Sequence, residues 1–153
     1  VTHDRQEALS LSDRVGVLAD ETDAEGARLL QYDTPSVVYR EPAAPAVATL
    51  TGPCFLMKAQ EIDGQMVTHL GPIDFVGEPS ARVQVAIRPH QLRFRLVTNG
   101  PHQISEISFV GPGHRCSVQT ELGRVWFDDP EGTLSISSQG QIEVVGPVHG
   151  WPH

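Results

Sequence analysis

Short stretches in which apolar and polar side chains alternate dominate the chain from about residue 55 onward. The alternation is clearest at Val83, Val85 and Ile87, and Asp-Gly and Asn-Gly pairs supply turns between neighbouring stretches. The pattern predicts strands at 55–61, 65–70, 82–87, 92–97, 104–110, 115–121, 124–127, 134–137 and 142–145, with a frayed tail over 146–153. Many short strands at this spacing are typical of a sandwich or barrel, and a small Greek-key barrel fits the length.

The first 52 residues have a different pattern, in which helices and strands alternate. The pattern predicts the end of a strand at residues 1–3. Asp4 followed three residues later by Glu7 indicates a helix that begins with a capping box. After this helix, the pattern predicts a strand at 15–18, an acidic loop at 19–26 and a strand at 27–33 that pairs back on 15–18. Two helices are predicted next, one that begins at Thr34-Pro35 and a short one over about 44–50.

Composition narrows the possible partners. The chain of 153 residues has a formal net charge of −8 and a pI near 5.2, which argues against nucleic acid or an anionic membrane as the main partner. No apolar run is long enough for a membrane helix. No signal peptide is expected in this sequence, because Val1 begins inside a predicted strand–helix unit with no charged n-region, and the abrupt start leads us to expect a fragment or a processed chain. Cys54 and Cys116 are expected to be free thiols.

His3 is the main candidate for chemistry. The pattern places it at the carboxyl end of a strand and beside a helix N-terminus, where α/β sheets bind phosphate-bearing ligands. The alternative is a solvated histidine with no role. The string Thr2-His3-Asp4, followed by a helix and a strand, resembles the switch-histidine loop of the ATP-binding-cassette (ABC) ATPases that drive importers. The resemblance implies that His3 is catalytic in an intact ATPase, where it reaches the γ-phosphate of ATP.

Further segments extend the resemblance over most of the chain. Residues 30–42 and 47–52 are similar to the segments that lead out of such an ATPase domain, although Asp33 stands where glycine is usual. Arg88-Pro89 resembles the Arg-Pro-Glu motif of the transport-associated OB domain, with His90 in place of the glutamate. The resemblance therefore implies a mainly β protein, with an OB-like Greek-key barrel at 53–153 after a truncated α/β remnant of a nucleotide-binding domain at 1–52.

The catalytic parts of an ATPase are missing from this sequence. Lys58 is the single lysine, no Gly-Lys-Ser/Thr loop is present, and neither the magnesium-binding aspartate nor the catalytic glutamate precedes His3. The chain alone is therefore expected to use no cofactor and to have no activity. The resemblance implies ATP and magnesium in the intact protein, a homodimer formed through the barrel, binding to transmembrane permease subunits, and a cytoplasmic location at the inner membrane.

Arg88 is the tentative ligand-binding residue of the barrel, since an arginine there can clamp a carboxylate or an oxyanion. The alternative interpretation is that Arg88 forms a structural ion pair that fixes the turn. A rival function is a free-standing oxyanion-binding domain that uses the turns at 98–100 or 111–113. A single-strand nucleic-acid-binding OB fold is also possible, but its candidate aromatic side chains lack a surrounding basic cluster; these are Phe94, Phe109, Trp126 and Phe127.

Two further groups of side chains are candidates for a site. The histidines after His3 show no metal-ligand spacing and are expected on the surface; they are His69, His90, His102, His114, His149 and His153. The carboxylate pair Asp128-Asp129 precedes Pro130 and Gly132 and is predicted to be a solvated turn.

Overall fold

The computed structural model describes residues 2–20, 26–78 and 80–153. Its N-terminal part contains helix α1 (Arg5–Leu11), strands β1 (Val15–Asp20) and β2 (Ala27–Asp33), and helices α2 (Pro35–Arg40) and α3 (Pro45–Thr51). None of the helices in the described ranges is both long and apolar enough to span a bilayer.

Helix α1 begins at Asp4 as its sequence predicts. The Glu7 N–H donates to the Asp4 carboxylate over 3.0 Å, which satisfies one of the amides that a helix start leaves free. The other half of the capping box runs through Thr2, whose hydroxyl accepts from the Asp4 N–H and donates to the Glu7 carboxylate at 2.8 Å. Thr2 and His3 are not in a strand, since no strand of the described residues pairs with them; Val1 lies outside the described residues.

Strands β1 and β2 form the predicted hairpin. They pair antiparallel, with Val15 opposite Asp33 and Leu18 opposite Leu29, and a bulge between Val17 and Leu18. The expected loop at 19–26 is shorter at its start, since Ala19 and Asp20 continue β1; residues 21–25 lie outside the described residues.

Helices α2 and α3 both begin with a proline at the first helical position, where its missing N–H is not needed. Thr34 is the N-cap of α2, but its side chain makes no cap hydrogen bond. Val38 of α2, Val47 of α3 and Val17 of β1 are the buried members of a small cluster that joins these elements.

The rest of the chain forms two sheets around one core. The six-stranded sheet has the order β5-β4-β3-β7-β13-β6, and the five-stranded sheet has the order β11-β10-β9-β12-β8. The strands are β3 (Phe55–Ile62), β4 (Gln65–Thr68), β5 (Gly71–Pro72), β6 (Asp74–Val76), β7 (Arg82–Ile87), β8 (Leu92–Leu96), β9 (His102–Phe109), β10 (His114–Thr120), β11 (Gly123–Asp129), β12 (Gln139–Val144) and β13 (Pro147–Pro152).

Both sheets contribute to a single cluster of buried apolar side chains. Val83, Val85 and Ile87 of β7 face Leu92, Ile104, Cys116 and Ile142 of the other sheet, and all are essentially inaccessible. The two sheets form a nearly closed barrel, so the predicted mainly β, OB-like fold is confirmed.

Two predictions are wrong in the C-terminal region, a strand at 134–137 and a frayed tail at 146–153. Residues 134–137 form no strand: Ser137 has φ +74°, and the Ser138 N–H donates to the Ser135 carbonyl to close a turn. The tail is not frayed, because β13 pairs parallel to β6 and antiparallel to β7. Gly150 makes that second pairing possible, since a Cβ there would lie 2.6 Å from the Gln84 carbonyl oxygen.

Candidate functional site

His3 lies immediately before the N-cap of α1 and is exposed. It borders a cavity of about 190 Å³ whose walls also include Val15 of β1 and Leu50 of α3. An exposed imidazole can donate or accept a hydrogen bond towards a neighbouring group. The structure therefore leaves the side chain accessible, but the assignment of His3 as a switch histidine stays a prediction.

Arg88 lies at the end of β7, where the barrel meets the two preceding helices, and is only 5% exposed. Its Nη2 donates to the Tyr39 carbonyl at 2.9 Å and to the Thr51 hydroxyl at 3.0 Å. Its Nη1 donates to the Ala48 carbonyl at 3.0 Å and, more weakly, to the Pro53 carbonyl at 3.4 Å. The guanidinium carbon also lies 4.0 Å from the centroid of the Tyr39 ring.

These acceptors explain why Arg88 needs no carboxylate. The carbonyls of Tyr39 and Ala48 belong to the last turns of α2 and α3, where helix carbonyls have no backbone N–H partner within the helix and the dipole favours a cation. One guanidinium thus caps the C-terminal ends of two helices and joins both to β7. This geometry favours the structural interpretation of Arg88, with backbone carbonyls in place of the expected ion-pair partner; anion binding by Arg88 stays a prediction.

A second side chain strengthens the same junction. The Trp151 indole N–H of β13 donates to the Pro42 carbonyl at 3.1 Å, just after α2. The Gln31 amide of β2 holds the same loop through the Glu41 carbonyl and the Ala43 N–H. Sequence analysis missed Trp151 because it lies in the segment predicted to be frayed; an isolated tryptophan next to Pro152 was the available signal.

The two cysteines are free, as expected. Burial raises the pKa of the Cys54 thiol, and the nearby Arg88 charge only partly opposes this. Burial also raises the pKa of Cys116, which Asp129 and Asp128 raise further. Both thiols are therefore protonated at neutral pH, and neither has the lowered pKa of a nucleophilic cysteine.

The histidines are less exposed than expected. Only His90 and His153 of the six later histidines are exposed, and the other four are half-buried. The Nδ1 atoms of His69 and His114 are buried and have no hydrogen-bond partner among the described residues. Within those ranges, no group of three metal-ligating side chains could hold a metal ion.

The remaining candidates from the sequence are mostly structural. Asp128 pairs with Arg115 at 2.9 Å, whereas Asp129 is 8% exposed and accepts from the Gly132 and Leu134 N–H groups, so the prediction of a fully solvated pair is wrong for Asp129. Phe94 stacks on Phe127 at 5.7 Å, and Phe127 is buried, so this pair does not offer a platform for nucleic-acid bases.

The two turns suggested for oxyanion binding use backbone N–H groups for their own closure. The Gly100 N–H donates to the Val97 carbonyl, and the Val110 N–H donates to the Gly113 carbonyl. Neither observation favours a free-standing oxyanion-binding domain.

Comparison with known proteins relates the chain to the ATP-binding subunits of ABC-type importers. A similar curated protein is the spermidine/putrescine import ATP-binding protein PotA of Hahella chejuensis (strain KCTC 2396), which is 28% identical over 176 residues. The alignment covers 100% of this chain but 46% of PotA, so the chain spans about half the length of that relative. No model of a known protein family matches the chain.

Proposed function

We propose that this chain is the C-terminal part of the ATP-binding subunit of an ABC importer. Residues 1–52 complete the nucleotide-binding domain, and residues 53–153 form a regulatory OB-like domain. The similarity to PotA over the whole chain supports the relation to importer ATPases. The position of Thr2-His3-Asp4 at the start of α1 supports the assignment of this segment as a switch loop.

The observation that argues most directly for this function is the incomplete burial of the N-terminal elements. Helix α1 buries none of its residues, and Leu11 is 79% exposed. On the hairpin, Leu18 and Leu29 lie opposite each other and are 53% and 57% exposed. A seven-residue helix obtains its stability from packing rather than from propensity. In the proposed protein, these apolar faces pack against other parts of the ATPase domain.

In that protein, ATP and magnesium are held mainly by residues outside this chain. His3 donates a hydrogen bond to the γ-phosphate and helps to position the attacking water. This interaction strengthens as charge develops on the transferring phosphoryl group, so it contributes to the chemical step more than to nucleotide binding. The chain alone is expected neither to bind nor to hydrolyse ATP.

The test is the variant His3→Ala in the full-length subunit. We expect ATP turnover to fall by at least about tenfold, which corresponds to roughly 1.4 kcal/mol of barrier, while nucleotide affinity changes only a few fold. Asp4→Ala is the neighbouring control: loss of the N-cap costs about 1 kcal/mol of stability and affects the rate less. Wild-type turnover in the His3→Ala subunit would show that the switch-loop assignment is wrong.

The barrel, in this proposal, joins two subunits in a homodimer, and the ATPase domains bind transmembrane permease subunits at the cytoplasmic face of the membrane. The 74% exposed Phe109 supports a contact between barrels. Sedimentation of the chain over a range of concentrations is expected to show a weak dimer. A strict monomer at high concentration would contradict dimerisation through the barrel.

A further inference from the structure

A cleft of about 540 Å³ lies between the end of α2 and the barrel. Its walls are the last residues of α2, the turn at Pro89–Gln91 after β7, the first part of β8 and the start of β13. This volume is within the range of small-molecule sites in proteins. The cleft is also built from segments far apart in the sequence, so a ligand within it would contact both the N-terminal elements and the barrel.

The charges that line this cleft are opposite to those of the chain as a whole. Arg40, Arg93, His90 and His149 line it, with the buried Arg88 beneath, whereas Glu41 is its one carboxylate among the described residues. The chain itself has a net charge of −8. Within the described ranges, neither Arg40 nor Arg93 has a carboxylate at ion-pair distance, so their charges remain available to a ligand.

The walls of the cleft are held in place by hydrogen bonds. Gln91 accepts from the Arg88 N–H at 2.8 Å and donates to the Pro147 carbonyl at 2.7 Å, so it connects the turn to β13. Arg93 donates from Nη1 to the His90 carbonyl at 2.9 Å and to the Leu92 carbonyl at 3.1 Å, which restricts the orientation of its guanidinium. The His90 ring stacks on Tyr39, with centroids 6.1 Å apart and planes at 19°. These contacts reduce the ordering that a ligand would otherwise require.

We propose that this cleft, which we call the basic cleft, binds a small dianion, either a phosphate or sulfate group or a dicarboxylate. Arg93 of β8 and Arg40 of α2 bind it from opposite walls, because a guanidinium fork matches the geometry of both kinds of oxyanion. The bound anion joins α2 to the barrel and so stabilises their contact. This inference does not depend on the proposed ATPase function, since every residue it uses lies in this chain.

Binding at the basic cleft is expected to involve uptake of a proton. Partial desolvation of the largely exposed imidazole, followed by the charges of Arg88, Arg93 and Arg40, lowers the pKa of His90. The other groups around the imidazole are the Tyr39 ring, the Glu41 carboxylate on the same wall as Arg40, and His149 of β13. A bound dianion favours the charged imidazole and raises its pKa, so the affinity rises as the pH falls from about 8 to about 6.

Isothermal titration of the chain with sulfate, a sugar phosphate and succinate tests the proposal. Sulfate is the probe for the pH series, because its charge is the same throughout. Arg93→Gln is expected to weaken binding by about tenfold or more, as expected for a charged hydrogen bond of about 1.5–3 kcal/mol. Arg95→Gln is the matched control, since Arg95 is also on β8, has the same charge, and pairs with Glu143 outside the cleft.

The outcomes separate specific from non-specific binding. Binding of any probe that Arg93→Gln and Arg40→Gln weaken, and that Arg95→Gln does not, supports the proposal; the preferred probe then identifies the class of anion. His90→Gln should remove the pH dependence while retaining binding. No binding of any probe at about 10 mM, or equal weakening by Arg93→Gln and Arg95→Gln, overturns the proposal. Unchanged thermal stability of the unliganded variants confirms that each one is folded.

Discussion

Replacement of Arg88 by methionine tests whether one guanidinium joins the N-terminal helices to the barrel. Methionine retains much of the apolar length of the side chain but removes the hydrogen-bond donors. The Tyr39 carbonyl then loses its contact with Nη2, and the Ala48 carbonyl keeps only the 3.2 Å contact from the Thr51 hydroxyl. Arg88→Met should therefore leave helix-terminal acceptors without adequate partners in a buried region.

The size of the effect follows from these contacts. A hydrogen bond to a charged group contributes about 1.5–3 kcal/mol, and the contact with the Tyr39 ring adds about 0.5–2 kcal/mol. Because the Pro53 contact is long and Thr51 has other partners, the full sum is not expected. We therefore expect Arg88→Met to lower the free energy of unfolding by about 3 kcal/mol.

Urea denaturation of the chain, followed by circular dichroism, measures this loss. Arg95→Met is the matched control: its side chain is 58% exposed and pairs with Glu143, so the cost should be below about 1 kcal/mol. The loss in the free energy of unfolding caused by Arg88→Lys should lie between those of Arg88→Met and Arg95→Met, because an ammonium group keeps the charge but not the planar fork. If Arg88→Met costs no more than Arg95→Met, the helix-capping explanation is refuted.

Two other predictions concern titration and packing. Burial lowers the pKa values of His69 and His102 below 6.5, so as the pH falls the unfolded chain binds protons before the folded chain does. The free energy of unfolding should therefore fall as the pH drops below about 6.5. Urea midpoints at several pH values measure this, and His69→Gln should make the change of the midpoint with pH smaller. Gly140→Ala would place a methyl group against the Arg95 carbonyl and the Phe94 ring, and should cost about 1–3 kcal/mol in the same assay. Gly16→Ala would place a methyl group 3.2 Å from the end of the Leu29 side chain and 3.5 Å from the Tyr32 ring, with no backbone atom in the way, and should cost much less; equal losses would contradict the packing argument.

Local chemistry made much of the N-terminal part, residues 1–52, predictable from the sequence. Asp4 and Glu7 indicated the start of α1, and Thr34-Pro35 indicated the start of α2, because helix N-termini depend on side chains within a few residues. The same was true of β7, whose alternating Val83, Val85 and Ile87 predicted its bounds.

Elements that depend on distant partners were not predictable in this way. Strand β13 contains Pro147, Gly150 and Pro152, which locally favour turns, and it is a strand because β6 and β7 offer hydrogen bonds on either side. Residues 134–137 show the opposite case: their composition suits a strand, but they form a turn. There the Ser137 N–H donates to the Ile104 carbonyl, and the backbone turns instead of adding to the sheet.

The role of Arg88 shows a more general limit of sequence analysis at this junction. Pattern and resemblance both selected the arginine, and its charge suggested a carboxylate or an oxyanion as its partner, because side chains of opposite charge are the partners that a sequence displays. Its acceptors are mainly backbone carbonyls at the ends of two helices, 40 and 49 residues away. Every residue has such a carbonyl, so residue identity cannot indicate which ones lack a partner. They are identified only when α2, α3 and β7 are brought together. In the part of the chain that the structure describes, the same packing leaves Arg40 and Arg93 at the basic cleft without a carboxylate at ion-pair distance.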